Sequence, residues 1–365
     1  MNILFYTPFF SRSRDTESLM ISFKNSGHNV YYVSQFYGEE IQQNLKSNHI
    51  SIANTILRWG NSKLDLIREI LFLAKFCRKN KIDIVFSHLE PAHLVAVLAQ
   101  YFIKAKVYIC RHHIDEIHLL NKNKLLSYKL VYTLGKRFIV VSRKAKEFMV
   151  EKEHVAAAKI DVINLAYDFS LYPSVNTDIA ENLRRQHSAD IVLVTACRMV
   201  KDKRPELSVA LLENLLAKKI DVKLFLLGDG PMKEELQELV RTKGLTERCV
   251  LPGRVSNILD YLSASDILVH PSIADSSSVI VKEAGLLSKI AIVCKGIGDF
   301  DDYLIHKQNA VLVDKSDFIR QAEEFIVDYS RNKDGYKDVG ASLNKDVHTL
   351  FSIENNIDHY NKYFN

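Results

Sequence analysis

The sequence predicts an α/β protein built from two doubly wound domains, each a parallel sheet with helices on both faces. Short apolar, β-branched runs alternate with helical stretches along the 365 residues, the pattern that strand–helix–strand crossovers leave in a chain. A polar segment from Asp168 to Asp190, containing Pro173 and little periodic apolar pattern, interrupts that alternation near the middle and reads as a linker. At 47 % hydrophobic, a chain of this length can bury two cores of ordinary size.

In order, the expected strands of the first half are ILFYTP, NVYYVS, IDIVFSH, KVYIC, RFIVVS and KIDVINL, with helices expected from Leu64 to Asn80 and from Pro91 to Ile103. The second half gives IVLVTA, VKLFLLG, CVLPG, DILVHPS, IAIVCKG and AVLV, again with helices between them. The expected division is residues 1 to 168, then 169 to 350, with a last amphipathic segment, FSIENNIDHYNKYF, from Phe351 to Phe364. Two doubly wound sheets imply a central cleft.

The most informative stretch is PSIADSSSVIVKEAG, Pro271 to Gly285, directly after the run DILVHPS. It reads as strand, polar loop and helix, with a Ser-rich start from Ser276 that offers N-cap candidates. A helix N-terminus behind a parallel strand presents unpaired N–H groups and partial positive charge, which suits phosphate. Asp275 and Glu283 flank that anion site, too far apart to share one proton. They are placed to grip hydroxyls at the two ends of a molecule whose middle is a diphosphate, as in a nucleotide sugar. Upstream, IVLVTA is followed by Cys197, Arg198 and Lys203, two cations at the carboxyl end of a buried strand, where open α/β sheets bind ligands. Each piece has a plainer reading: a solvated basic pair, a turn at Gly228-Asp229-Gly230-Pro231, a capping Asp275, a solvated helical Glu283. Their order in one doubly wound pattern favours a donor site.

Together these residues resemble the retaining GT-B glycosyltransferases of family 4, whose second domain carries Gly-Arg-(four residues)-Lys, a GDGP-like turn and Glu-(seven residues)-Glu. The resemblance implies the GT-B fold, two Rossmann-like domains facing a central cleft, with the C-terminal helix crossing back to the first domain. It implies that Arg198 and Lys203 hold the donor phosphates, that Asp275 contacts the transferred sugar and that Glu283 holds the ribose hydroxyls. Gly228 and the backbone around Arg254 and Val255 would line the nucleotide, and Ser277, Ser278 and Val279 would present the helix N-terminus to the diphosphate. It further implies a cleft histidine that contacts the donor sugar; His112 fits best, with His113 beside it and His88 ending the preceding strand. Several positions depart from the family: Cys197 stands for Gly, Arg204 for the Gly after the Lys, Asp275 for the first Glu, Ser276-Ser277-Ser278 for Gly-Phe-Gly, and SRSRDTE, Ser11 to Glu17, for a glycine pair, where Arg12 and Arg14 could replace a backbone contact by charge.

The expected reaction is transfer of a sugar from a UDP- or GDP-linked donor to a hydroxyl on a glycan or lipid-linked acceptor, with retention of configuration, in bacterial surface polysaccharide or glycolipid assembly. The implied chemistry needs neither a divalent ion nor another cofactor: preorganised cations stabilise the leaving diphosphate. A GT-B epimerase and a non-catalytic nucleotide-sugar-binding protein are the rival classes.

Five scattered Cys, with no Cys-x-x-Cys, indicate neither a disulfide framework nor a structural metal and fit a cytoplasmic setting. The N-terminal MNILFYTPFFSRSR lacks the cationic start of a signal peptide, and no apolar stretch is long enough to span a bilayer. Residues 1 to 165 carry 24 Lys and Arg against 14 Asp and Glu, a surplus of ten, whereas the remainder carries 25 against 30. A basic first half suggests an anionic membrane surface as a partner, on the inner face, rather than nucleic acid. The stretch from His118 to Arg137, with Lys122, Lys124, Lys129 and Lys136, mixes Leu and Tyr with cations as interfacial helices do.

Overall fold

The computed structural model describes residues 1–7, 13–34, 39–54, 63–114 and 125–364. The chain forms two compact units, Met1–Leu171 with Phe351–Asn365, and Tyr172–Leu350.

The first unit holds, among the described residues, a seven-stranded sheet with strands β1 (Asn2–Tyr6), β2 (Asn29–Ser34), β3 (Ser51–Asn54), β4 (Ile84–His88), β5 (Lys106–Arg111), β6 (Phe138–Val140) and β7 (Ile160–Val162), in the order 3-2-1-4-5-6-7. Every pairing is parallel. Alternate strand residues feed two cores. Leu4, Tyr6, Val85 and Val107 meet Leu73, Cys77, Ala96 and Val131 from helices Lys63–Lys79, Ala92–Ala99 and Leu125–Leu134. On the opposite face Ile3, Phe5, Phe86 and Tyr108 meet Phe23 from helix Arg14–Asn25 and the last helix, Ile353–Asn361. That last segment is held by aromatics: Tyr363 lies 4.4 Å from Tyr108 and Phe364 5.1 Å from Phe23, centroid to centroid, and the Tyr363 hydroxyl donates to Asp161 at 2.9 Å. Large amphipathic rings with a satisfied hydroxyl are strong anchors.

The second unit holds β8 (Ile191–Ala196), β9 (Val222–Leu227), β10 (Cys249–Gly253), β11 (Ile267–His270), β12 (Ile290–Cys294) and β13 (Val311–Val313), in the order 10-9-8-11-12-13. All pairings are again parallel. The order reverses between β8 and β11, the switch point at which open α/β sheets leave a crevice at the strands' carboxyl ends.

Several sequence expectations need correction. The strand β3 was not anticipated, because SIAN is short and half polar. The segment from Asp168 to Asp190 is no bare linker: Thr177–Gln186 is a helix, started by Asn176, whose side chain accepts from the Ile179 amide at 3.1 Å. Its apolar positions are too few to show as periodicity, and only Ala180 is buried. The helix expected from Pro91 to Ile103 runs only over Ala92–Ala99, and Tyr101 and Phe102 stand in an exposed turn. The helix expected from Ser276 begins at Val279 and ends at Leu286.

Candidate functional site

At the switch point of the second unit, Arg198 and Lys203 follow β8 and Asp275, Ser277 and Ser278 follow β11. Strand β8 ends at Ala196, and Cys197 to Met199 are zipped to the end of β9: the Cys197 amide donates to Leu227 O at 3.1 Å and the Met199 amide to Asp229 O at 2.9 Å. Gly228 makes this close approach possible. It has φ +127°, and a Cβ there would lie 1.9 Å from the Cys197 carbonyl oxygen, so no other residue fits. Asp229 spends both carboxylate oxygens inside the turn, on the Gly230 amide at 2.8 Å and Lys233 at 2.9 Å. Burial pushes the Cys197 thiol up to about 12, only partly offset by Lys203, so it is no nucleophile.

Arg198 is exposed, and no side-chain hydrogen bond or ion pair ties it to another described residue. Lys203 closes a short 3₁₀ turn, Lys201–Lys203, and reaches across to the loop after β11. Its ammonium donates to Ala274 O at 2.7 Å and to Asp275 Oδ1 at 2.5 Å. The other Asp275 oxygen lies 2.8 Å from His270 Nε2. Burial acts to raise the Asp275 carboxyl, but the hydrogen bond and charge of His270, with Lys203, outweigh it and hold the group well below the usual carboxylate range. Asp275 therefore faces the site as a fixed anion and does not cap the following helix.

The residue after Lys203 explains one departure from the family pattern. Arg204 keeps the left-handed backbone that a glycine would supply, φ 48° and ψ 45°, a conformation costing a non-glycine residue about 1 kcal/mol or more. Its guanidinium offsets this by donating to Pro271 O and Lys315 O, each at 2.8 Å, and by packing over Phe318. The side chain thus pins the carboxyl end of β11.

Ser278 occupies the N-cap position of helix Val279–Leu286 without a capping bond; its hydroxyl lies 3.3 Å from His270 Nε2 instead. Ser277 donates to Asp299 at 2.6 Å. Behind both sits Lys282, 1 % exposed, bonded to Ser277 Oγ at 2.9 Å, Ser278 O at 3.2 Å and Asp299 Oδ2 at 2.8 Å. Burial raises the Asp299 carboxyl against these bonds. This ion pair ties Ser277 and Ser278 to Asp299 and to the helix that follows them. Glu283 is buried on the same helix, 6 % exposed. Arg254, exposed, and Val255, half-buried, follow β10. Sequence reasoning missed His270, Lys282 and Asp299; the one available signal was a polar residue inside an apolar run, His in ILVHP and Lys in VIVKEAG.

The predicted histidines lie in the first unit, at the ends of β4 and β5. His88 Nδ1 and His112 Nε2 are 2.8 Å apart, and both line a cavity of ≈ 20 Å³ with Asp15, Thr16 and Tyr360. Burial lowers both pKa values, for His112 against the pull of Asp15, so the pair is neutral near pH 7. His113 is exposed. The buried Arg111 fixes this loop: it is ion-paired with Glu153, donates to His113 O at 2.7 Å and also bonds Ile114 O. Of the SRSRDTE segment, Arg12 falls outside the described residues, and Arg14 opens helix Arg14–Asn25, whose first turn carries Asp15 and Glu17. Lys122 and Lys124 also fall outside them. Among the described residues no group of three or more His, Cys, Asp or Glu is placed to hold a metal ion.

Two doubly wound units, one of them with a cation–carboxylate cluster at its switch point, define a GT-B glycosyltransferase architecture. The chain belongs to the group 1, family 4 glycosyltransferases: residues 178–338 match the family model "Glycosyl transferases group 1" and residues 14–171 match "Glycosyltransferase Family 4". The fold is shared with Anabaena HepE, solved in complex with UDP, at TM-score 0.83 and 17 % identity, covering 100 % of this chain and 99 % of that one. A glycosyltransferase from Rickettsia africae aligns at TM-score 0.81 and 19 % identity, covering 100 % and 98 %. In sequence, the chain is 25 % identical over 295 residues to the phosphatidylinositol N-acetylglucosaminyltransferase GPI3 subunit of Saccharomyces cerevisiae, covering 76 % of this chain and 63 % of the yeast protein. It is 25 % identical over 261 residues to the Escherichia coli UDP-Gal:alpha-D-GlcNAc-diphosphoundecaprenol alpha-1,3-galactosyltransferase, covering 66 % of each. The match thus spans about two thirds of these relatives' lengths.

Proposed function

We propose that this glycosyltransferase moves a sugar from a nucleoside diphosphate sugar to a hydroxyl of a lipid-linked acceptor, with retention of configuration and without a metal ion, in bacterial surface glycan or glycolipid assembly. The observation that carries the reading is the Lys203–Asp275 ion pair at the switch point, beside the exposed Arg198. An ammonium has three donors. Lys203 spends two on Ala274 and Asp275 and keeps one for a phosphate oxygen, so diphosphate binding does not require the pair to break. Asp275 keeps free lone pairs for a sugar hydroxyl, and its charge is balanced by its partners. As the bond from the anomeric carbon to the diphosphate breaks, Arg198, Lys203 and the amides before Val281 stabilise the negative charge that develops. The acceptor oxygen bonds to the same face of that carbon and gives its proton to the departing phosphate. HepE, which shares the fold, is seen with UDP, and the E. coli relative is named for UDP-galactose and a diphosphoundecaprenol-linked acceptor. On those likenesses the donor is UDP-linked and the acceptor a polyprenyl diphosphate glycolipid, met at the cytoplasmic membrane face.

A panel of nucleoside diphosphate sugars tests this by thermal shift. A ligand at about 100 times its dissociation constant stabilises by about 2.7 kcal/mol, which raises the melting temperature of a domain this size by roughly 5 °C or more. UDP-linked sugars are expected to give that shift, and mass analysis with a lipid-linked acceptor to show one added hexose or N-acetylhexosamine. Failure of every nucleoside diphosphate sugar to shift the melt would end the proposal, and a changed donor without acceptor would make the protein an epimerase.

The two acids should separate by assay. Glu283→Ala is expected to weaken UDP binding in calorimetry about tenfold or more, the scale for a lost charged hydrogen bond to a hydroxyl, while Asp275→Ala lowers turnover and leaves UDP affinity within a few-fold. Equal losses of UDP affinity in the two variants would contradict the division between ribose and sugar.

A further inference from the structure

One face of the first unit carries an apolar stripe that no other described residue covers. On helix Lys63–Lys79, Leu64, Ile67 and Leu71 are 65, 53 and 63 % exposed. Their spacing puts them on one side of the helix, and Lys75 and Arg78 continue the same side toward its end. Inward-facing Leu73 and Cys77 already satisfy the sheet, so the stripe is not needed for folding. The turn after helix Ala92–Ala99 adds Tyr101 and Phe102, 58 and 57 % exposed. Arg78 donates to Phe102 O at 2.8 Å, and Lys136 lies 5.8 Å over the Tyr101 ring, which joins the turn to helix Lys63–Lys79 and to the segment after helix Leu125–Leu134. A groove of ≈ 660 Å³ separates Leu71 from Phe102, flanked by Lys75, Arg78 and Lys79. On the far side, helix Leu125–Leu134 turns Tyr128 and Val131 inward and leaves Leu126, 70 % exposed, with Lys129 outside.

Charge selects the occupant. Segments 63–79, 101–106 and 125–137 contain only two acids, Asp65 and Glu69; Asp65 lies 3.6 Å from Arg68 and Glu69 is buried. A second copy docking here would set cations against cations. A surface that offers scattered Leu, Ile, Phe and Tyr among Lys and Arg instead matches the boundary of an anionic bilayer, where rings and aliphatic chains enter the acyl edge and cations meet lipid phosphates. We propose that this face, running from Leu64 through Phe102 to Leu126, docks the protein on an anionic lipid membrane. The proposal deepens the lipid-linked acceptor reading and rests on it for biological sense, but its test does not use activity.

Flotation of the full chain with phosphatidylcholine vesicles, with and without phosphatidylglycerol, reads the surface. The wild type is expected to float only with phosphatidylglycerol. Each basic residue near such a surface contributes roughly fivefold to binding, so the Lys75→Glu, Lys79→Glu, Lys129→Glu triple variant should bind about 100-fold more weakly. None of these three side chains has a hydrogen-bond or ion-pair partner among the described residues, so the variant should melt like the wild type. The Leu64→Ser, Ile67→Ser, Leu71→Ser variant should keep its binding at low salt and lose it as salt rises, where the wild type stays bound. Flotation that ignores lipid charge, no flotation of the wild type, or unchanged flotation of both variants overturns the proposal; so does a wild-type dimer in solution that the serine variant makes monomeric. Thermal shift with UDP-sugars in all three proteins distinguishes the readings: vesicle binding without nucleotide binding leaves the surface and removes the proposed activity, and the reverse removes the surface alone.

Discussion

Alanine at Arg198 or at Lys203 is expected to lower turnover by about 10² or more, because each removes a positive charge aimed at a diphosphate whose negative charge grows as the sugar leaves. The loss should fall on kcat more than on KM, as it does when an interaction strengthens in the transition state. The two variants differ in a second respect. Arg198 is exposed and bonded to no described side chain, so its removal should leave the melting temperature unchanged. Lys203 holds Asp275; without it a mostly buried carboxylate keeps only His270, and about 1–3 kcal/mol of stability is expected to go with it. Steady-state kinetics beside thermal melts would show both effects. Wild-type turnover in the two purified variants would remove the assignment of this pair to the leaving group.

Glu153→Ala should destabilise the first unit by about 3–5 kcal/mol, the scale for breaking a buried ion pair from one side. Arg111 is 2 % exposed, its guanidinium lies under the rings of Tyr132 and Phe148, and its remaining donors go to backbone oxygens of His113 and Ile114. With the carboxylate gone, a charge stays in the core unbalanced, and the loop that carries His112 loses its anchor. Chemical denaturation is the measurement. A Glu153→Gln variant keeps the shape and one acceptor, so it should recover part of the loss. Equal stability of wild type and alanine variant would show that Arg111 is carried by the carbonyls and rings alone.

Much of this protein could be read from residue order. Buried parallel strands leave continuous β-branched runs, and the twelve strands expected from such runs all form, differing mainly by a residue or two at their ends; β3, the thirteenth among the described residues, left no such run. The placement of Arg198, Lys203 and Asp275 after strand ends was legible because each follows a buried strand at a short offset, and Glu283 lies within the helix expected there. The exposed helical stripe of Leu64, Ile67 and Leu71 was equally present in the sequence, but an apolar period does not say which of its members face inward. The segment around Thr177 was misread for the opposite reason: a helix with one buried residue has almost no apolar signature.

The two doubly wound domains and the charged residues at the strand ends follow from local pattern and offset, and so can be read along the chain. How those charges are partnered depends on the folded arrangement. Lys203 and Asp275 are 72 residues apart and meet at 2.5 Å; Lys282 and Asp299 form a fully buried pair behind the loop; Arg204 accepts a left-handed backbone and anchors Pro271. Such contacts depend on where parallel crossovers return the chain, and on a dielectric that falls with burial. Neither is written in any short stretch of residues.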